Sequence, residues 1–230
     1  MCSFEFHRFM FNFIEENTYL IWDTHTRDAA IVDCGAWQPE EQRAIADFIA
    51  AHKLHPVSAL LTHAHFDHIF GLQFLYEAYG LRPRMHPLEH ANYHMADEQT
   101  EIFLHRRLPC STPALGEDLS EGEEIPIGSL TLKVIATPGH TKGGVCFLLN
   151  PQPDDSPSTA PLLFSGDTLF WSSCGRTDLP GGSWEDMEQS LHKLFTTLPP
   201  NTRVLPGHGE ATTIEQEIAH WRLKANPFSV

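Results

Sequence analysis

Apolar positions in the first third of the chain come in short pieces, Phe4 to Asn12, Thr18 to Trp22 and Ala29 to Val32, separated by Glu15-Glu16-Asn17 and Thr26-Arg27-Asp28. Short runs bounded by turn-type residues predict meandering strands. From Pro39 to Leu54 the period changes. Ile45, Phe48 and Ile49 fall on one side of a 3.6-residue repeat with Glu40, Glu41 and Asp47 among the polar positions, the pattern of an amphipathic helix. Val57 to Leu61 is a short buried-type strand and Ile69 to Tyr79 resumes a helical period. Leu130 to Ala136, Val145 to Leu149, Leu162 to Phe164 and Arg203 to Leu205 read as further strands. Capping-box-like pairs, Ser183 with Asp186 and Thr212 with Glu215, mark two later helix starts. Residues 96–124 mix charges, two prolines and the apolar Ile102, Phe103, Leu104 and Leu108, a composition suited to a lid. Residues 151–161 are Pro-rich and are expected to form an exposed loop, so that 1–230 is a single domain.

Ligand-type side chains follow four of these strands. His63 comes after the strand ending at Leu61, His140 after Ala136, Asp167 after Phe164 and His208 after Leu205. If those carboxyl ends lie along one edge of packed sheets, His63, His65, Asp67, His68, His140, Asp167 and His208 converge. His63 and His65 stand two apart and in extended backbone point to one side, so they can share an ion. Asp67 and His68 follow a change of direction and face a neighbouring position, which leaves the two oxygens of Asp167 to bridge. Seven such ligands suit two divalent cations. Imidazole and carboxylate without thiolate favour zinc, with iron or manganese as alternatives, and the remaining open positions point to catalysis.

The pattern H-x-H-x-D-H at His63 to His68, T-P-G-H at Thr137 to His140, S-G-D at Ser165 to Asp167 and P-G-H-G at Pro206 to Gly209 resembles the metallo-β-lactamase superfamily over nearly the whole chain. Gly166-Asp167-Thr168-Leu169-Phe170, followed by Cys174-Gly175-Arg176, looks like its glyoxalase II branch, and the ending Asn226-Pro227-Phe228 is similar to short bacterial members. The resemblance implies an α/β fold, the four-layer αβ/βα sandwich. It assigns His63, His65 and His140 to one ion and Asp67, His68 and His208 to the other, with Asp167 between them. It also implies that Arg176 contacts substrate. Asp178 and Glu210 stand where that branch tends to place substrate-contacting tyrosines, and full-length glyoxalase II proteins add a carboxyl-terminal helical region that supplies glutathione contacts.

Charge narrows the partners. Fifteen Lys and Arg against thirty Asp and Glu give a formal charge of -15, which disfavours nucleic acid and anionic membrane faces. No run approaches the ~20 apolar residues of a membrane span. Met1 to Asp23 carries Glu5, Arg8, Glu15 and Glu16 and lacks the form of a secretion signal, and the five cysteines are scattered without C-x-x-C spacing, so a reducing cytoplasm is expected. Against that acidic background two dications make an electropositive spot suited to a small anionic thioester. The expected reaction is thioester hydrolysis by a metal-bound hydroxide oriented by Asp67 as the catalytic carboxylate, with S-lactoylglutathione or a related acyl thiol as substrate. A persulfide dioxygenase with a single iron, whose branch shares a run like Cys174 to Asp178, and a noncatalytic metal-stabilised binding module are the alternatives. His86, His90 and His94, spaced by four, read as a polar helix face or part of a lid rather than as ligands.

Overall fold

A computed structural model describes residues 3–156 and 158–225, with side chains through Trp221. The ending Asn226-Pro227-Phe228 lies outside the described residues. The chain opens with β1 (Phe4–Phe11), β2 (Glu16–Asp23) and β3 (Asp28–Val32), then α1 (Pro39–His52) and β4 (His55–Leu60). Two short helices follow, α2 (Phe66–Ile69) and α3 (Leu72–Tyr79), then β5 (Pro83–Arg84), a single 3₁₀ turn at Pro87–Glu89, α4 (His90–His94) and α5 (Ala96–Leu104). The second half holds β6 (Glu124–Ile127), β7 (Leu130–Ala136), β8 (Val145–Leu149), β9 (Leu162–Gly166), β10 (Leu169–Phe170), β11 (Ser173–Cys174), α6 (Trp184–Thr197), β12 (Arg203–Pro206), β13 (Thr212–Thr213) and α7 (Ile214–Ala225).

The strands form a five-stranded sheet in the order β1-β2-β3-β4-β5, a six-stranded sheet in the order β13-β12-β9-β8-β7-β6, and a small β10-β11 hairpin. In the first sheet β3, β4 and β5 are parallel and the rest antiparallel; in the second only β12 and β9 are parallel. Period-two alternation explains how the sheets stack. Tyr19 and Ile21 of β2 face a core shared with Phe147 and Leu149 of β8 and Leu162 and Phe164 of β9, and the Tyr19 and Phe164 rings meet across it at 5.3 Å. Leu20 and Trp22, on the other face of β2, pack with Ile45 and Ile49 of α1 and Leu72 and Leu75 of α3. Cys146 and Leu148 of β8 and Leu163 of β9 pack under Met187, Leu191 and Leu194 of α6. Sheets covered on both faces read as nearly continuous apolar runs, which is why β2, β8 and β9 are buried at every position. The result is the expected helix-sheet-sheet-helix order, an αβ/βα sandwich.

Three boundaries differ from expectation. Glu16 and Asn17 begin β2 rather than forming a turn, because the Asn17 amide donates to Gly207 O (2.7 Å) and its side chain to Pro206 O (2.9 Å), tying the strand start to the end of β12. The helix expected from Ile69 starts at Phe66 and is interrupted after Ile69. There the Gly71 amide donates to Cys34 O and the Cys34 amide to His68 O, both at 2.8 Å, so this backbone serves β3 instead of a continuous helix. The cap of α7 is Thr213, whose hydroxyl accepts from the Gln216 amide (3.3 Å). Thr212 belongs to β13 and donates its hydroxyl to Glu217 Oε1 (2.7 Å). Ser183 caps α6 as expected, accepting from the Asp186 amide. The described residues of 151–161 join β8 to β9 as a partly exposed loop, in which Asp155 accepts from the amide and hydroxyl of Ser3. Within 96–124, α5 fills the first part, and Leu108 packs on Phe66 and Phe70. No helix among the described residues is long and apolar enough to cross a membrane.

Candidate metal centre

Parallel neighbours β3 and β4 end side by side, and so do β9 and β12, which puts the loops after them at one rim. His63 lies just past β4, His65 is the residue before α2, and Asp67 and His68 sit in the first turn of that helix. His140 follows β7, Asp167 follows β9 and His208 follows β12. The structure brings all seven together. His63, His65 and His140 form one group, Asp67, His68 and His208 a second, and His63, His68 and Asp167 a third that joins them; within each, the ligand atoms lie within 4.8 Å of one another. His65 Nδ1 and His140 Nε2 are 2.8 Å apart, and His208 Nε2 is 3.1 Å from Asp67 Oδ2. Asp167 Oδ2 lies 3.5 Å from His140 Nε2 and 3.7 Å from His208 Nε2, and its Oδ1 lies 3.5 Å from His68 Nε2, so its carboxylate stands between the two groups. Gly207 permits this approach, since a Cβ there would stand 2.4 Å from Asp167 Oδ1.

The outer nitrogens of three histidines are fixed by acceptors, which determines the tautomer. His68 Nδ1 donates to Asp33 Oδ2 (3.0 Å) and His140 Nδ1 to the Arg176 carbonyl (2.8 Å). His63 Nδ1 donates to Thr62 Oγ1 (3.1 Å), a hydroxyl whose own hydrogen goes to Asp33 Oδ2 (2.8 Å). Each Nε2 is therefore the nitrogen turned to the centre, able to bind a cation once it carries no proton. His63 Nε2, His68 Nε2 and Asp167 Oδ1 are buried without a hydrogen-bond partner. Such a group costs about 1–3 kcal/mol when left unmatched. Two ring nitrogens and a carboxylate oxygen, turned inward and unmatched, fit a cation, and the donor set, with no thiolate, fits zinc, iron or manganese.

Electrostatics divide the site. Burial holds His63 well below the ordinary histidine value, and burial together with nearby His140 brings His65 down to about 3. Burial opposes charge on His68 too, but Asp67, Asp33 and Asp167 outweigh it and raise the ring well above its ordinary value; Asp167 and Asp67 likewise raise His208 against its burial. Asp167 is held well below the usual carboxylate range, the cost of burial being exceeded by His68 and His208. Without a metal, protons on the second group balance the carboxylates.

Arg176 reaches the centre through its backbone carbonyl. Its guanidinium is more than half exposed and makes a bidentate pair with Asp178 at 2.7 and 2.8 Å. His90 pairs with Asp118 (2.7 Å), and His86, His90 and His94 enter no ligand group among the described residues. Sequence reasoning missed Asp33, the buried acceptor for Thr62 and His68, and Glu16, wholly buried beside it with Oε1 4.0 Å from His68 Nδ1. Asp33 carries a readable signal, an acidic residue ending the apolar run Ala29 to Val32 beside the strand that delivers His63.

Residues 12–208 match the family model described as the metallo-beta-lactamase superfamily. The chain is 36% identical over 178 residues to the probable metallo-hydrolase YqgX of Bacillus subtilis (strain 168), covering 77% of this chain and 80% of that one. Among solved structures it superposes on BLEG-1, a B3 metallo-beta-lactamase, with a TM-score of 0.79 and 31% identity over 94% of this chain and 97% of that one. It superposes on TTHA1623 in a di-iron-bound form with a TM-score of 0.76 and 34% identity over 92% and 96%. By strand order, by the converged histidines and aspartates and by these matches, the chain belongs to the metallo-β-lactamase superfamily.

Proposed function

We propose that the protein is a binuclear metal-dependent hydrolase of the glyoxalase II-like branch that cleaves a small anionic thioester, such as S-lactoylglutathione or a related acyl thiol. The observation that carries this reading is the pair of adjacent ligand groups with Asp167 between them. His63, His65 and His140 would hold one ion and Asp67, His68 and His208 the other, with zinc first in order and iron supported by the di-iron form of TTHA1623. Two dications there supply an activated water and Lewis-acid polarisation of a carbonyl.

The chain's own residues do the rest. Asp67 Oδ2, beside His208 Nε2 at 3.1 Å, is held below the usual carboxylate range by His68 and His208 against its burial and would orient the attacking water. A thiol of pKa ~8.5 departs as thiolate and needs no separate general acid. Arg176 would contact a substrate carboxylate, which must compete with Asp178 for the guanidinium. The charge of -15 supports a reading without nucleic-acid or membrane partners, and scattered cysteines support a cytoplasmic setting. The test is turnover of S-lactoylglutathione, acyl-CoA and simpler thioesters by zinc- and iron-loaded protein, with metal content measured in parallel. Hydrolysis with two ions per chain is expected. No turnover of any thioester removes the reading, and one iron with oxygen uptake on glutathione persulfide replaces it by the dioxygenase.

A further inference from the structure

Glu89 is wholly buried in the 3₁₀ turn before α4, and it contacts none of the seven ligand side chains by hydrogen bond or ion pair. A carboxylate out of water is costly unless its oxygens are matched. Here Oε2 accepts from the Ala64 amide (2.9 Å) and from Asn92 Nδ2 (3.1 Å), and Oε1 accepts from the Gly143 amide (2.9 Å). Ala64 lies between His63 and His65 on the loop from the first sheet. Gly143 lies three residues after His140 on the loop from the second. A Cβ at Gly143 would stand 2.9 Å from Glu89 Oε1, so the close approach needs glycine. Gln99 of α5 completes the grip: its Nε2 donates to Ala64 O (2.9 Å) and its Oε1 accepts from the Phe66 amide (3.2 Å). The peptides flanking His65 are thereby held by side chains from 89–99. The two loops also meet through Val145 N–H to Thr62 O (2.9 Å), on the residue before His63, and Glu89 adds a second link on the His65 side of that histidine.

We propose that Glu89 is a positioning residue that couples the His63–His65 loop to the His140 loop and so sets the geometry of the three-histidine group, while His68 of the other group rests on Asp33, which also reaches His63 through Thr62, and on the Cys34 backbone. The inference rests on the metal reading above. In Glu89→Gln one acceptor becomes a donor facing an amide, and one loop is released. Cobalt(II) titration of the full chain, followed by visible absorption, reads each ion separately. Glu89→Gln is expected to weaken one of two ions by about tenfold or more and to alter its bands while the other ion is unchanged. Asp23→Asn is the matched structural control. Asp23 is a buried carboxylate that accepts from His25 and Ser129 and touches no ligand loop, so this variant should melt earlier with the parent spectrum. Should Glu89→Gln fail to fold, Gly143→Ala displaces the same carboxylate from the other side and carries the same expectation. Superimposable cobalt spectra and affinities for parent and folded variant overturn the proposal while leaving the metal centre intact. A parent chain that binds no cobalt overturns both.

Discussion

Asp33 lies outside every motif that carries the ligands, yet its carboxylate accepts three hydrogen bonds, from the Thr62 amide, the Thr62 hydroxyl and His68 Nδ1. The amide of Thr62 needs Oδ1, so in Asp33→Asn the new NH₂ falls at Oδ2 and faces His68 Nδ1. The ring then moves its proton to Nε2 and stops being a ligand. Metal affinity should drop by about 10- to 100-fold, measured by zinc titration against a competing chelator; unchanged affinity would show that the tautomer is fixed elsewhere. Asp167→Ala removes the group between both ions. It should abolish zinc-induced stabilisation in a melting experiment while the metal-free chain still folds.

At the scale of elements, helices serve the site as well as the core. Through its first turns α6 fixes the His140 loop, the Ser183 amide donating to Gly139 O (2.8 Å) and the Ser190 hydroxyl to Pro138 O (2.7 Å). Ser183→Ala keeps that amide and loses only the cap to Asp186. It should cost about 1 kcal/mol, lower Tm by about 2–4 °C and leave zinc stoichiometry unchanged, as read by calorimetry and metal analysis. The long elements were legible because each buries a periodic face: α1 under Ile45 and Ile49, and β7 with Leu130, Leu132 and Val134 turned inward. The elements that were missed, α2, β5, β6, β10, β11 and β13, have two to four residues each, apart from the nine-residue α5, which was read as part of a lid. Two to four residues are too few to show a period, so local periodicity carries no trace of the short ones.

For the whole molecule, protons and metal compete. His63 and His65 are neutral when folded and take up protons near 6.5 when unfolded, so their contribution to stability is present above that value and lost as pH falls below it, for His65 toward about 3. His68 and His208 have the opposite sign. Their raised values stabilise the metal-free fold below 6.5, and that contribution is lost as pH rises through them. Metal binding must displace those protons. Zinc affinity is therefore expected to rise with pH, with net proton release detectable by calorimetry in buffers of different ionisation enthalpy. Binding without proton release and independent of pH would contradict this assignment. Zinc at 100 times its Kd should add about 2.7 kcal/mol to the fold.

The identity of the seven candidate ligands, their place after strands and the layered α/β architecture are properties of residue type and order, and His63 to His68, His140, Asp167 and His208 display them in one dimension. What fixes the ligands in place does not. Asp33 under His68 and Glu89 between Ala64 and Gly143 are ordinary acidic residues until folding removes water from them and brings partners to about 3 Å. Spacing along a chain records which side chains can bind a cation; only packing decides which remaining polar groups are buried, and those, having no solvent to turn to, hold the ligands to one geometry.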